Sequence, residues 1–160
     1  DYKTLEVKTD NGTISGENGN YIVHPEKSEV PANISLSADG KVIGTTTFRV
    51  KIVPEPIALL AGFSKGTLDK SLVLAQKGLE VELPNFDFDL KFKITQFTLV
   101  TTKNKMTTEA VSHSNEFSQD QLEVIKKLDN DQMIYFEDIK AVGPDGIKRD
   151  LNALVFKVKL

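Results

Sequence analysis

Residues 85–100, NFDFDLKFKITQFTLV, decide how this chain is read. Phe86, Phe88, Leu90, Phe92 and Ile94 fall on even positions, and Asp87, Asp89, Lys91, Lys93 and Thr95 on odd ones. Side chains of a strand alternate between its faces, so the pattern predicts a strand with one apolar and one charged side. Asp87 and Asp89 would point the same way, as paired metal ligands do. Their face continues into Lys91 and Lys93, while the opposite face is wholly apolar, which is the pattern of a strand wetted on one side. A metal site needs further oxygen or nitrogen donors converging on one point, and nothing nearby in the sequence nominates them. The two aspartates are therefore read as solvent-facing and as binding nothing. After Thr95 the parity flips, and Phe97 and Leu99 carry the apolar side. A flip without a break is what one extra residue produces. It predicts a β-bulge near Thr95–Gln96 and a common core for Phe92, Ile94, Phe97 and Leu99.

Downstream, Ser118 and Gln121 have the spacing of a capping box, and Phe117 can pack on Leu122 as a hydrophobic staple. Leu122, Ile125 and Leu128 then share a face, which predicts the one substantial helix at about 118–129. The end of the sequence reads as a hairpin. MIYFEDIKAV (133–142) and ALVFKVKL (153–160) flank GPDG (143–146), with Leu154, Phe156, Val158 and Leu160 inward. Upstream, Thr67 can cap a short helix whose face is Leu68, Leu72 and Ala75, with Gly78 ending it.

The first third is cut at short intervals by DNG (10–12), ENGN (17–20) and ADG (38–40), the turn residues of tight hairpins. Between them lie strand candidates at 3–9, 19–25, 31–38 and 45–53; in the last, Phe48, Val50 and Ile52 alternate with Arg49 and Lys51. Short strands at this spacing predict a small immunoglobulin-like sandwich. About fifty residues make a thin core, so the unit is expected to lean on a neighbour or a second chain. VPEP (53–56) closes it, because two prolines cannot both serve a sheet ladder. The fold class is mainly β: two β-rich domains in tandem, 1–54 and 55–160, the second carrying the helix. Just past the prolines, IALLAGF (57–63) places Ile57, Leu59, Leu60 and Phe63 together outside any amphipathic pattern. They are the candidate contact residues, packing either in a seam between domains or against a second copy.

Composition narrows the function. The 160 residues hold 20 basic and 23 acidic side chains with no basic stripe, so nucleic acid is not expected as a partner. There is no cysteine, which removes disulfides, thiolate nucleophiles and the common zinc-finger sites. The longest apolar run, residues 57–63, is far short of the roughly 20 residues of a membrane span. The sequence begins DYKTLEV, without an initiator Met or a signal peptide, and reads as an excised fragment. GFSKG (62–66) matches the nucleophile elbow G-x-S-x-G, but that motif works on a strand-to-helix turn of a large α/β sheet, a context missing here. His113, the only histidine downstream of it, sits in a polar loop, and His24 lies at a strand end. Two distant histidines do not make a transition-metal site. Asn11-Gly12-Thr13 and Asn33-Ile34-Ser35 match the glycosylation acceptor, a triplet that recurs by chance. No catalytic, cofactor or metal site is expected.

Three phrases carry a family resemblance: TTTFRVKIVPEP (45–56), the run from GFSKG through LVLAQKGLEVELPNFDFDLKFKITQFTLV, and IYFEDIKAVGPDGIKRDLNALVFKVKL (134–160). Together and in this order they resemble the C-terminal periplasmic portion of the GldM/PorM family of the type IX secretion system of Bacteroidetes. The first 45 residues match mainly as a turn-rich β unit. The resemblance implies a non-enzymatic periplasmic arm, part of a homodimer anchored in the inner membrane by an N-terminal helix outside this sequence. It implies a GldL/PorL-type subunit as inner-membrane motor partner. Ring proteins of the GldK/GldN or PorK/PorN type at the outer membrane would be contacted by the terminal domains, coupling proton-motive-force-driven motion to secretion and, in gliding species, to motility. A different class, an extracellular or surface β-domain binding or adhesion module, would present an exposed aromatic platform. Against it, Trp is absent and the nine phenylalanines fall mostly on predicted core faces.

Overall fold

The computed structural model describes residues 4–86 and 89–160. The chain divides into two compact units, Asp1–Val53 and Pro54–Leu160. Both are built mainly of strands, and there is one substantial helix among the described residues.

Unit 1 holds β1 (Leu5–Thr9), β2 (Thr13–Glu17), β3 (Asn20–His24), β4 (Ala32–Ala38) and β5 (Lys41–Phe48). They form a three-stranded antiparallel sheet, β1-β4-β5, and a separate β2-β3 hairpin, five strands against the seven of an immunoglobulin sandwich. Asn18-Gly19 and Asp39-Gly40 make the two-residue hairpin turns, with φ of 54° and 84° and of 48° and 80°. Positive φ at both positions matches the right-handed twist of the flanking strands, which is why Asn-Gly and Asp-Gly serve there. Ala32 and Ala38 are the only hydrophobic side chains buried among the described residues of this unit, as thin a core as its size suggests. The strand expected over 45–53 is displaced. It begins at Lys41 and stops at Phe48, leaving Phe48 55% exposed and Ile52 exposed as well. Phe48 pairs with Ala32, the first residue of β4; Pro31 before it has no N–H, so the ladder has nothing to continue on.

Unit 2 contains β6 (Ile57–Leu59), β7 (Lys65–Asp69), α1 (Lys70–Ala75), β8 (Glu80–Glu82), β9 (Lys93–Lys103), β10 (Met106–Ser112), α2 (Gln119–Lys126), β11 (Gln132–Val142), β12 (Lys148–Asp150) and β13 (Leu154–Lys159). Its main sheet is six-stranded, ordered β10-β9-β11-β13-β7 with β12 also on β11; β6 and β8 pair separately. β7 runs parallel to β13, and the other neighbours are antiparallel. One face of the sheet is closed by an aromatic cluster. Phe97 lies 6.0 Å from both Phe117 and Phe136, and Phe136 lies 6.5 Å from Phe156, at edge-on or tilted angles that aromatic quadrupoles favour.

The bulge falls where the parity predicts it. Gln96 pairs with Lys140 and Ile94 with Ala141, so Thr95 is the extra residue on β9. Ile94, Phe97 and Leu99 all reach the core, and Phe92 is half-buried at its edge. A second irregularity lies opposite, where Asp138 and Ile139 answer the single Phe97; Asp138 takes a φ of 49°. The sheet thus absorbs one extra residue in each strand and both recover register.

Four sequence expectations shift. The strand does not run through residues 89–92, because β11 pairs back only as far as Val142–Lys93 before turning at Gly143. Asp87 and Phe88 lie outside the described residues. Thr67 sits inside β7 rather than at a helix cap, α1 starts after Asp69, and Val73, not Leu72, is its buried residue. Gly78 does not end that helix. A Cβ there would stand 1.9 Å from the Asn115 carbonyl oxygen, where Gly78 and Glu116 bridge two loops. Finally, β13 buries Leu154, Phe156 and Val158, but Leu160 follows the last paired residue and is 71% exposed.

Candidate interaction site

The residues singled out for chemistry do not converge. Among the described residues no group of three or more His, Cys, Asp or Glu could hold a metal ion. Asp89 is exposed, and Lys91 approaches its carboxylate at 3.9 Å, both in open solvent. In GFSKG, Ser64 leads into β7, a strand, after the β6 turn at Ala61-Gly62; a nucleophile elbow needs a helix there. His24 and His113 are both exposed. Asn11 is not a free acceptor for sugar: its amide donates to the carbonyls of Lys27 (2.8 Å) and Val30 (2.9 Å) and accepts from the backbone N–H of Lys27 (2.8 Å). It pins the loop between β3 and β4 from inside. Asn33 is likewise engaged, donating to Asp10 at 2.7 Å and accepting from the Thr47 hydroxyl at 2.6 Å. The Asn33 bonds hold the Asp10 carboxyl below its ordinary pKa.

The IALLAGF run resolves into strand, turn and return. Ile57–Leu59 pairs with β8, Leu60 bridges to Phe63, and Ala61 and Gly62 take the positive-φ positions between them. Leu60 is fully buried and Leu59 nearly so, Leu60 within the core of unit 2 itself. Leu60 has no exposed surface, and Leu59 keeps little. Ile57 is half-buried, and Phe63 alone of the four presents its ring outward, 54% exposed.

The most ordered polar arrangement on unit 2 surrounds the β11–β12 turn. Arg149 reaches back to Asp145 with both terminal nitrogens, at 3.0 and 2.5 Å, and its guanidinium also lies 5.2 Å from the centre of the Phe92 ring. The Ile147 N–H donates to the same carboxylate at 3.0 Å, and Gly146 closes the turn onto Gly143. The Arg149 bonds, and then the Ile147 N–H, hold the Asp145 carboxyl down at about 2. A Cβ at Gly143 would meet Phe92 Cε1 at 2.6 Å and push the ring from its place. The result is a braced turn that presents an exposed Ile147, whose carbonyl accepts from the same Arg149 that caps the Phe92 ring. Such a surface suits a protein partner: an apolar knob with a rigid charged surround orders few groups on binding.

The sequence profile of the GldM C-terminal domain matches residues 54–160, the whole of unit 2. The chain belongs to the GldM family. GldM is a structural component of gliding and type IX secretion machinery that works among protein partners, and in the family this domain is periplasmic. No curated protein matches the chain. Among solved structures, the Yersinia pseudotuberculosis adhesin InvE is similar at 13% identity and a TM-score of 0.27 over 96% of this chain; the chain spans 48% of that one. None of the described helices is long and apolar enough to cross a membrane.

Three structural residues escaped the sequence reading. Gln121 is recognisable as a capping-box member, yet its amide also donates to the carbonyls of Ala110 (3.0 Å) and Phe97 (3.4 Å) inside the core. Asn152 takes up both the N–H and the carbonyl of Ala58, at 2.8 and 3.2 Å, acting as a one-residue strand partner for β6. Asn11 looked like a turn residue and is a buried clamp. Of the three, only Asn152 stands next to an apolar run, residues 153–156; nothing local in the sequence marks Asn11 or the second role of Gln121.

Proposed function

We propose that this GldM-family chain is a non-enzymatic arm of an inner-membrane motor complex. It passes proton-motive-force-driven motion to the outer-membrane type IX secretion machinery, and to motility in gliding species, through protein–protein contacts. The observation that carries this reading is the match of the entire second unit to the GldM C-terminal domain. The architecture is compatible with it. Force transmission needs a unit that deforms little, and β13 is laddered on both sides, to β11 and to β7, over an aromatic core. In this reading the braced β11–β12 turn, with Ile147 and Phe92, meets ring proteins of the GldK/GldN or PorK/PorN type. The exposed Phe63 faces a second copy in a parallel homodimer, and the full-length protein is anchored in the inner membrane beside a GldL/PorL-type subunit. The test is site-specific photo-crosslinking. A photoreactive residue at position 147 should capture a purified GldK/GldN-type ring protein, and one on the opposite side of the unit, at Leu72, should not. Equal capture at both positions, or none at either, refutes the contact.

A further inference from the structure

Unit 1, which the family match does not cover, carries an edge that proteins normally protect. β5 lies at the border of its sheet, and all eight of its residues are exposed. From Val42 to Phe48 it contains no charge and no proline, and Val42, Ile43 and Phe48 present apolar surface. Natural edge strands are usually blunted by lysine, proline, a bulge or a covering loop, because their unpaired N–H and carbonyl groups accept another strand. Here one bulge, with Ile43 the extra residue, lies near the start of β5, and residues 44–48 beyond it pair regularly and stay open. Beside it opens a groove of about 490 Å³, lined by Tyr21, Val23, Ala32, Ile34, Phe48 and Arg49. The pairings Ile34–Thr46 and Ala32–Phe48 put Thr46 and Phe48 on the groove side of the sheet. A strand added to β5 would continue that face with every second side chain.

Charge says what the added strand is. β5 begins with Lys41 and is followed by Arg49 and Lys51. Lys51 is held by Glu29 at 3.3 Å, whereas Arg49, at the rim of the groove, makes no ion pair among the described residues. A second copy pairing antiparallel about Thr45 would set each Lys41 opposite the other copy's Arg49. Like charges would then stack at both ends, which is destabilising in a ladder. We propose that the edge of β5 binds an extended segment of a different protein, apolar at alternate positions and carrying a carboxylate that pairs with Arg49. Backbone ladder bonds supply the affinity of such strand addition, and side-chain pockets with the terminal charge supply its selectivity.

The probe is a fluorescent nine-residue amidated peptide alternating valine and threonine, with glutamate at each end, read by anisotropy against the 160-residue chain. It should bind, and its binding should protect the amides of residues 42–48 from hydrogen exchange. Arg49→Glu should weaken it by roughly tenfold or more, and the milder Arg49→Gln by less. A matching peptide with lysine at both ends should bind the Arg49→Glu chain better than the unaltered one. Three results overturn the proposal: no binding up to about 1 mM, the bottom of useful affinity; equal binding of both peptides to the unaltered chain; or sedimentation showing a dimer whose formation protects residues 42–48, which would make the occupant a second copy.

Discussion

Replacing Gln121 with methionine separates the helix cap from its buried anchor. Gln121 is fully buried at the third position of α2. Its Oε1 accepts from the Ser118 N–H at 3.1 Å, and its amide nitrogen donates to the Ala110 carbonyl at 3.0 Å. Methionine has nearly the same length and no donor. The Ala110 carbonyl would keep its ladder bond from the Leu99 N–H but lose this second, buried donor, at a cost of about 0.5–1.5 kcal/mol. The Ser118 N–H lies where water can reach it, so losing that half of the capping box adds only about 0.5 kcal/mol. The contact to the Phe97 carbonyl, at 3.4 Å, is long and adds little. The sum is about 1–2 kcal/mol, which in a unit of this size lowers the melting temperature by roughly 5–10 °C. Urea unfolding followed by circular dichroism reads the free energy directly, and Gln119→Met, on the exposed side of the same turn, is the control. If Gln121→Met stays within about 0.5 kcal/mol of the unaltered chain, the ordinary range for surface changes, the buried amide is not what holds the helix to β9 and β10.

Leu60→Asp should cost unit 2 more than about 4 kcal/mol, since it buries an unpaired charge, while Phe63→Asp should stay within about 0.5 kcal/mol; similar urea midpoints for the two would contradict the core placement of Leu60. Asn11→Asp keeps the acceptors but loses both donors to the Lys27 and Val30 carbonyls, so amides 26–30 should exchange much faster with deuterium; unchanged exchange there would remove Asn11 as the clamp. Asp145 titrates at about 2 in the folded chain against about 4 when unfolded. Its lowered value means a stabilisation fully present above about pH 4 and lost as the pH falls toward about 2. The stability difference between the unaltered chain and Asp145→Asn should therefore shrink over that window, and a difference constant from pH 7 to pH 2 would show that the Arg149 pair contributes nothing.

Periodicity by itself determined the mainly β class, the bulge after Ile94 and the capped helix from Ser118, because each depends on neighbours within a few residues. Hairpin turns at Asn18-Gly19 and Asp39-Gly40 were legible for the same reason: positive φ is a local demand. The strand limits were not. Whether β5 passes Phe48 depends on Pro31 opposite it, and whether the 85–100 strand reaches back to Asp89 depends on where β11 turns, facts held on other segments. Nor could the candidate contact run be sorted from its own letters. Ile57, Leu59, Leu60 and Phe63 are chemically alike, and only the pairing with β8 and the Ala61-Gly62 turn send Leu60 inward and Phe63 outward. The buried polar anchors Asn11 and Gln121, and the exposed Asn152 that braces β6, were settled by the fold alone. A side-chain amide is worth burying only where distant backbone groups converge to satisfy it, and that convergence exists only once the chain has folded.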